Sequence, residues 1–179
     1  NHVWVPMELN HPPDYYNVRL VGELLVNGQE MIFPQFELGI IDSGTTLLIL
    51  SSTAFSMLAD YMSKTFCDIP GLCGPTSWFQ SAGCIMIDGR TLDKFPTLTF
   101  QLQGYNIELG ARDYMIRVTN SSQPAYWCLG IMASDLPIGV DVIFGITIMR
   151  KYIIVYDIEQ SQLGFAESLG TCGLGKTIV

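Results

Sequence analysis

Along Thr97-Leu98-Thr99-Phe100-Gln101-Leu102-Gln103, polar and apolar side chains alternate in strict period two, the signature of a half-buried strand. Strand composition also marks Val3 to Leu9 and Tyr15 to Val26, separated by the breaker His11-Pro12-Pro13-Asp14, and Asn27-Gly28 is a strong hairpin turn leading to Met31-Ile32-Phe33. Further strands are predicted over Tyr105 to Leu109, Tyr114 to Val118, Tyr126 to Met132 and Val140 to Phe144. The chain then turns at Gly145, takes a short helix-like stretch from Ile146 to Lys151, and closes with Tyr152 to Tyr156 and Leu163 to Ala166 around a polar turn. One segment has helical period instead. Ser51-Ser52 can cap a helix from Thr53 to Lys64, which stacks Phe55, Leu58, Ala59 and Met62 on one face for core packing. The expected class is mainly β with a few short helices. No 20- to 50-residue repeat and no low-complexity tract interrupts it.

At 179 residues the expectation is a single domain, 1–179, large enough to bury a real core. Hydrophobic residues make up 49% and charged residues 15%, against a typical charged share of about 25%. So few charges on so much apolar sequence predict a surface that meets a partner. The net charge of −8 argues against nucleic acid and anionic membrane, which reward Lys and Arg clusters. No run reaches the roughly 18 to 20 apolar residues of a spanning helix. The chain starts at Asn1 in strand-like sequence, so it reads as a mature or excised piece of something longer.

Cysteine spacing speaks against a metal. Cys67, Cys73, Cys84, Cys128 and Cys172 form no paired Cys-x-x-Cys knuckles, and both histidines lie near the N-terminus. A disulfide framework fits better. Cys67 and Cys73 bracket a Pro-Gly loop short enough for a local bridge, and Cys84 and Cys128 are free to staple distant strands. Cys172 is then the odd cysteine, open to a partner outside this chain or to a free thiol. The sequon Asn120-Ser121-Ser122 agrees with an exported loop that carries a glycan.

The candidate chemistry sits in Gly39-Ile40-Ile41-Asp42-Ser43-Gly44-Thr45-Thr46. Asp42 follows a buried-strand pattern, where an unpaired charge is costly, so it needs partners. Gly44 allows a tight turn that aims backbone N–H groups at the carboxylate, and Ser43, Thr45 and Thr46 supply hydroxyls. Such a cradle tunes an acid for catalysis; a plain Asp-Ser-Gly turn between core strands is the bland alternative, and the local sequence alone weighs the two evenly.

Three distant features tilt the balance. Ile41 to Thr46, Ile143-Phe144-Gly145 about a hundred residues later, and Tyr152 to Asp157 followed by Leu163-Gly164-Phe165-Ala166 together resemble the C-terminal lobe of a pepsin-like aspartic protease, from about Val3 to Cys172. The resemblance implies one lobe of the pepsin-like double-ψ β-barrel fold, with Cys84–Cys128 as the lobe's usual disulfide. It implies that Asp42 is one of two catalytic carboxylates. Ser43 would then bond across to the other lobe, Gly44 would offer its backbone to carboxylate and substrate, Thr45 would bond the outer carboxylate oxygen, and Thr46 would edge the substrate cleft. Phe144 and Gly145 would support the site. No cofactor and no metal are implied; the expected partners are an N-terminal lobe, from the same precursor or a separate chain, and a peptide or protein substrate, in the secretory pathway: secreted, lysosomal or vacuolar, or another acidic lumenal compartment.

The chain also departs from that family's pattern. Ile146 replaces the Asp that usually follows the apolar-apolar-Gly element, which alters the floor of the cleft. The Ser-Gly-Thr-Thr form, Tyr15-Tyr16 and a terminal Cys172 are closer to memapsin-like and plant-type members, where such a cysteine can bridge to the other lobe. Tyr15, Tyr16, Ile40 and Ile143 are pocket walls or ordinary core. No second Asp-Ser/Thr-Gly occurs, so this chain holds half an active site and is expected to be inactive alone. Two alternatives stay open: a non-catalytic binding or inhibitor protein on the same scaffold, and a homodimer in which two copies of Asp42 meet.

Overall fold

The computed structural model describes residues 2–9, 14–30, 36–74, 77–81, 83–120 and 123–168. Met31 to Phe33, the His11-Pro12-Pro13 breaker, Ser121 and Ser122 of the sequon, and Cys172 lie outside the described residues.

The chain is mainly β. Strand β1 is Val3–Pro6, β2 is Tyr16–Arg19, and β3 (Leu25–Val26) turns into β4 (Gln29–Glu30) through Asn27 and Gly28, both at positive φ, as the Asn-Gly pair predicts. The stretch Tyr15 to Val26 is therefore not one strand. After an isolated bridge at Leu20 the chain bends near Gly22, and β3 joins a different sheet from β2.

Next come β5 (Leu38–Ile41), β6 (Leu48–Ser51) and helix α1 (Ser52–Thr65). Ser51 is the N-cap, its hydroxyl accepting from the Ala54 N–H at 3.4 Å. The buried stripe of α1 is Ala54, Leu58 and Met62, while Phe55 and Ala59 are half-buried, so the face turns slightly from the expected one. Short elements α2 (Trp78–Ser81), β7 (Cys84–Ile85) and α3 (Gly89–Leu92) follow; neither of these helices has enough turns to print a helical period on the sequence. Then come β8 (Leu98–Leu102), β9 (Tyr105–Leu109), α4 (Ala111–Tyr114), β10 (Met115–Asn120), β11 (Gln123–Leu129) and β12 (Ile131–Ser134). The expected strand Tyr126 to Met132 is two strands in two sheets. At Gly130 the N–H donates to the Tyr114 carbonyl at 2.8 Å and the carbonyl accepts from the Leu48 N–H at 3.0 Å, which hands the chain from one sheet to the other. The chain ends through β13 (Val142–Phe144), α5 (Ile146–Met149), β14 (Tyr152–Asp157) and β15 (Gln162–Glu167).

Among the described residues four sheets result, with orders β1-β15-β14, β10-β11-β7, β12-β6-β13-β5-β2 and β4-β3-β8-β9. Their inner faces meet in one large apolar cluster. Phe144 lies edge-on to Phe100 with ring centroids 5.1 Å apart, and Phe100 in turn meets Phe36 at 6.1 Å. Two disulfides staple the periphery: Cys67–Cys73 closes its local loop, and Cys84–Cys128 joins directly opposed residues of β7 and β11. Beside the second, Trp78 is buried, donates its indole N–H to the Trp127 carbonyl at 2.9 Å and packs edge-on to Phe95.

The five-stranded sheet positions the site. β5 and β6 are consecutive strands, yet they do not pair with each other. β13 is inserted between them, parallel to β5 (Phe144 opposite Ile41) and antiparallel to β6 (Phe144 opposite Leu48). The turn from Ile41 to Leu48 must therefore arch over the end of a third strand. All four residues of β5 are buried, which holds the start of that arch rigidly.

Candidate active site

Asp42 emerges at the end of β5, half-buried, with its backbone N–H donating to the Phe144 carbonyl at 3.0 Å. Its carboxylate is gripped from two sides: the Gly44 N–H donates to Oδ1 at 2.8 Å, and the Thr45 hydroxyl donates to Oδ2 at 2.5 Å. A carboxylate so held has one orientation, and each bond to it is charge-assisted. Of the three hydroxyls in the turn only that of Thr45 reaches Asp42. Ser43 is exposed, and its hydroxyl makes no hydrogen bond among the described residues; Thr46 is exposed too and contributes its backbone carbonyl instead.

The arch is clamped from behind by the start of α5. The first N–H groups of a helix have no partner inside it, and here they are spent on the turn. Ile146 N–H donates to the Thr45 carbonyl at 2.8 Å, Thr147 N–H donates to the Thr46 carbonyl at 3.2 Å, and the buried Thr147 hydroxyl donates to that same carbonyl at 3.1 Å. Gly145 makes this approach possible, because a Cβ there would lie 2.3 Å from the Leu47 carbonyl oxygen and 2.4 Å from that of Thr45. Thr147 was missed by sequence reasoning. Its signal is a single hydroxyl in the otherwise apolar run Ile146 to Met149.

Exposed apolar side chains stand on the elements that flank the arch. Tyr16 stands opposite Ile41 across β2 and β5, 43% exposed, with its ring against that of Tyr156 at 4.6 Å. Tyr15 is 51% exposed, so neither tyrosine is ordinary core. Ile146 is 43% exposed. Ile40 belongs to the interior instead, in a small cluster with Leu38 and Val140 against which Ile143 packs. Burial above all, then Tyr16 and the charge of Asp42, push the Tyr156 phenol above its usual range, so it stays a neutral hydroxyl beside the acid.

Among the described residues no group of three or more His, Cys, Asp or Glu side chains gathers to hold a metal ion, and no helix is long and apolar enough to cross a membrane. Among the described residues the arrangement offers one fixed, half-buried carboxylate, with Tyr16 and Ile146 exposed on the neighbouring elements. That suits proton transfer at a substrate laid across the turn.

Residues 1–168 match the family model described as eukaryotic aspartyl protease. The chain is similar to vacuolar protease A of Aspergillus fumigatus, 34% identical over 131 residues that cover 72% of this chain and 28% of that protein. It is similar to the vacuolar aspartic protease of Candida albicans, 30% identical over 70% of this chain and 26% of that protein, and to pepsin A of Bos taurus, 23% identical over 91% and 38%. The matched segment is thus well under half the length of each of these relatives.

Proposed function

The chain belongs to the eukaryotic aspartyl protease family, and we propose that it is the C-terminal lobe of a two-lobed endopeptidase in which Asp42 works with a second Asp from the N-terminal lobe. The observation that carries this reading is the cradle itself: a carboxylate locked by Gly44 and Thr45 in a turn whose Ser43, Gly44 and Thr46 are exposed among the described residues. Apolar Tyr16 and Ile146 at its rim support a surface meant to be covered, since large exposed apolar patches mark interaction sites. The sheet β1-β15-β14 supports it as well. Among the described residues its outer strands are laddered to no further strand along their length, and Trp4 and Ile153 on them are 43% and 53% exposed.

The proposed reaction needs one proton on the pair. The ionised carboxylate takes a proton from a water held between the two acids, and the water oxygen bonds to the peptide carbonyl carbon as the other carboxyl gives its proton to the carbonyl oxygen. The tetrahedral intermediate collapses by breaking the C–N bond, with a proton passing to the leaving nitrogen. In this scheme the Thr45 hydroxyl and Gly44 N–H hold Asp42 in register, Ser43 bonds across to the other lobe, and Thr46 edges the cleft. Phe144, Gly145 and Thr147 fix the arch from behind.

Facing carboxylates resist double ionisation, so the singly protonated pair belongs to acid solution. Raising the pH removes the shared proton and stops oxyanion protonation. The complete protein is expected to cleave peptides in acid, to lose activity as the pH rises towards neutrality, and to be blocked by a pepstatin-type inhibitor; a rate that rises through neutral pH and ignores the inhibitor overturns the reading. A vacuolar location agrees with the names of the two fungal relatives, and an acidic lumen, secretion as the other destination, entry through the secretory pathway, a glycan at Asn120 and a bridge from Cys172 to the other lobe belong to the same proposal.

Thr45→Val tests the cradle separately. It keeps the shape and removes the donor to Oδ2, and a lost charge-assisted bond of about 1.5–3 kcal/mol corresponds to a fall of roughly 10- to 100-fold in kcat/KM. Thr45→Ser should restore most of it. An unchanged rate in the Val variant would show that the hydroxyl does not position Asp42.

A further inference from the structure

Positive charge is scarce in this chain, 9 Lys and Arg against 17 Asp and Glu, yet much of it converges on one side. Arg112 on α4 reaches the Gly89 carbonyl at the start of α3 at 3.4 Å and pairs with Asp93 at 2.9 Å. Arg150, at the C-cap of α5, donates to the Arg112 carbonyl at 3.4 Å. Arg90 and Lys94 flank Asp88, whose carboxylate accepts the Thr91 N–H at 2.7 Å and is held low first by that bond and further by these two cations. With Arg117, five cations share the area with the carboxylates of Asp88 and Asp93.

Beside them lies a groove of about 530 Å³ lined by Met86, Ile87, Asp88, Arg112, Arg117 and Trp127; Arg112 and Arg117 are the two of these cations in its wall, and none of the lining residues belongs to the Asp42 arch. Arg117 is exposed, and its guanidinium makes no hydrogen bond or ion pair among the described residues. Met86 is 58% exposed. The groove therefore offers an unpaired guanidinium beside an apolar wall. It runs past the end of β7, the edge strand of its sheet, whose outer side faces no other described strand.

We propose that this groove is a second docking site, which recruits a short, extended acidic segment of the protein substrate away from the scissile bond. The proposal rests on the endopeptidase reading above. A guanidinium binds a carboxylate through two parallel N–H···O bonds, and apolar side chains alternating with the acidic ones would lie against Met86 and Ile87, over the largely buried Trp127. An extended segment can also lie along a free strand edge. Charge decides the occupant. A long polyanion would meet repulsion from a chain of net charge −8, whereas a segment of a few residues senses mainly the local cations. A bare inorganic anion would leave the apolar wall unused.

The test uses the complete protein and two peptides with one cleavable core, extended by alternating Glu and Leu or by alternating Gln and Leu. The Glu-Leu extension should lower KM about tenfold with kcat unchanged, and the advantage should shrink as salt rises. Arg117→Glu should erase that advantage while cleaving the Gln-Leu peptide as before, and Arg117→Gln provides a milder variant if the reversal disturbs folding. Equal KM values for the two peptides, or an advantage that survives both variants, overturns the docking site. Cleavage of neither peptide counts against the endopeptidase reading instead. Docking is then read from the fluorescence anisotropy of a labelled Glu-Leu peptide, which should bind the unmodified protein about tenfold more tightly than Arg117→Glu; equal binding overturns the proposal on that route too.

Discussion

Asp42→Asn in the complete protein lowers kcat/KM for peptide hydrolysis by at least about 10³-fold, because the amide can neither accept the water's proton nor share one with a second acid. The substitution is chosen to separate chemistry from folding. Asn keeps the shape of Asp, its carbonyl oxygen can still accept the Gly44 N–H, and the Thr45 hydroxyl can turn to accept from the new amide. Its thermal midpoint should therefore stay within a few degrees of the parent's. Asp42→Ala loses the same activity but also leaves the Gly44 N–H and the Thr45 hydroxyl without their partner. If the Asn variant retains full activity on a peptide substrate in acid, Asp42 is not in the dyad and the enzymatic reading of this lobe fails.

The largest structural effect is expected at Gly145. A methyl group there would have to occupy space 2.3 Å from one backbone carbonyl oxygen and 2.4 Å from another. Those atoms belong to the arch around Asp42, so they cannot swing aside as a flexible side chain would. To admit Gly145→Ala the start of α5 must retreat, which lengthens the bonds from Ile146 and Thr147 to the Thr45 and Thr46 carbonyls together. We expect a loss of about 4 kcal/mol or more, in the exceptional range for one substitution. Denaturant unfolding measures it, and activity should fall further than the folded fraction does, because any surviving arch has lost its backing. A variant of parental stability would show that the approach of α5 is not what holds the arch.

Much of this was legible beforehand because it rests on local chemistry. Period two along Thr97 to Gln103 is strand β8, the Asn27-Gly28 pair is the tight turn between β3 and β4, and Ser51 caps α1. The six-residue interval from Cys67 to Cys73 suffices for a local bridge. Where the reading failed, the cause was a decision taken by distant residues. Tyr15 to Val26 and Tyr126 to Met132 each have unbroken strand composition, but each is divided between sheets at a glycine-containing bend whose pairing partners lie far away in the chain. Composition reports that a residue suits a pleated, half-buried surface, not which surface it joins. The helices α2 and α3 are a single turn each and carry no period to read.

The same division runs through the site. By itself, the sequence determined that Asp42 needed partners and that its turn had the donors to supply them, since an acid after a buried strand cannot go unpaired and Gly44 and Thr45 stand two and three residues away. Which donors are used was decided by tertiary structure. Insertion of β13 between β5 and β6 bends the turn into an arch, and the arch aims Thr45 inward and leaves Ser43 and Thr46 facing out. Only in the folded chain does Thr147 come to stand behind Thr46, 101 residues away, because a helix start packed against the arch leaves its first N–H groups to find carbonyls there. Local donors can be counted from the sequence, whereas their directions follow from which strands the core brings together.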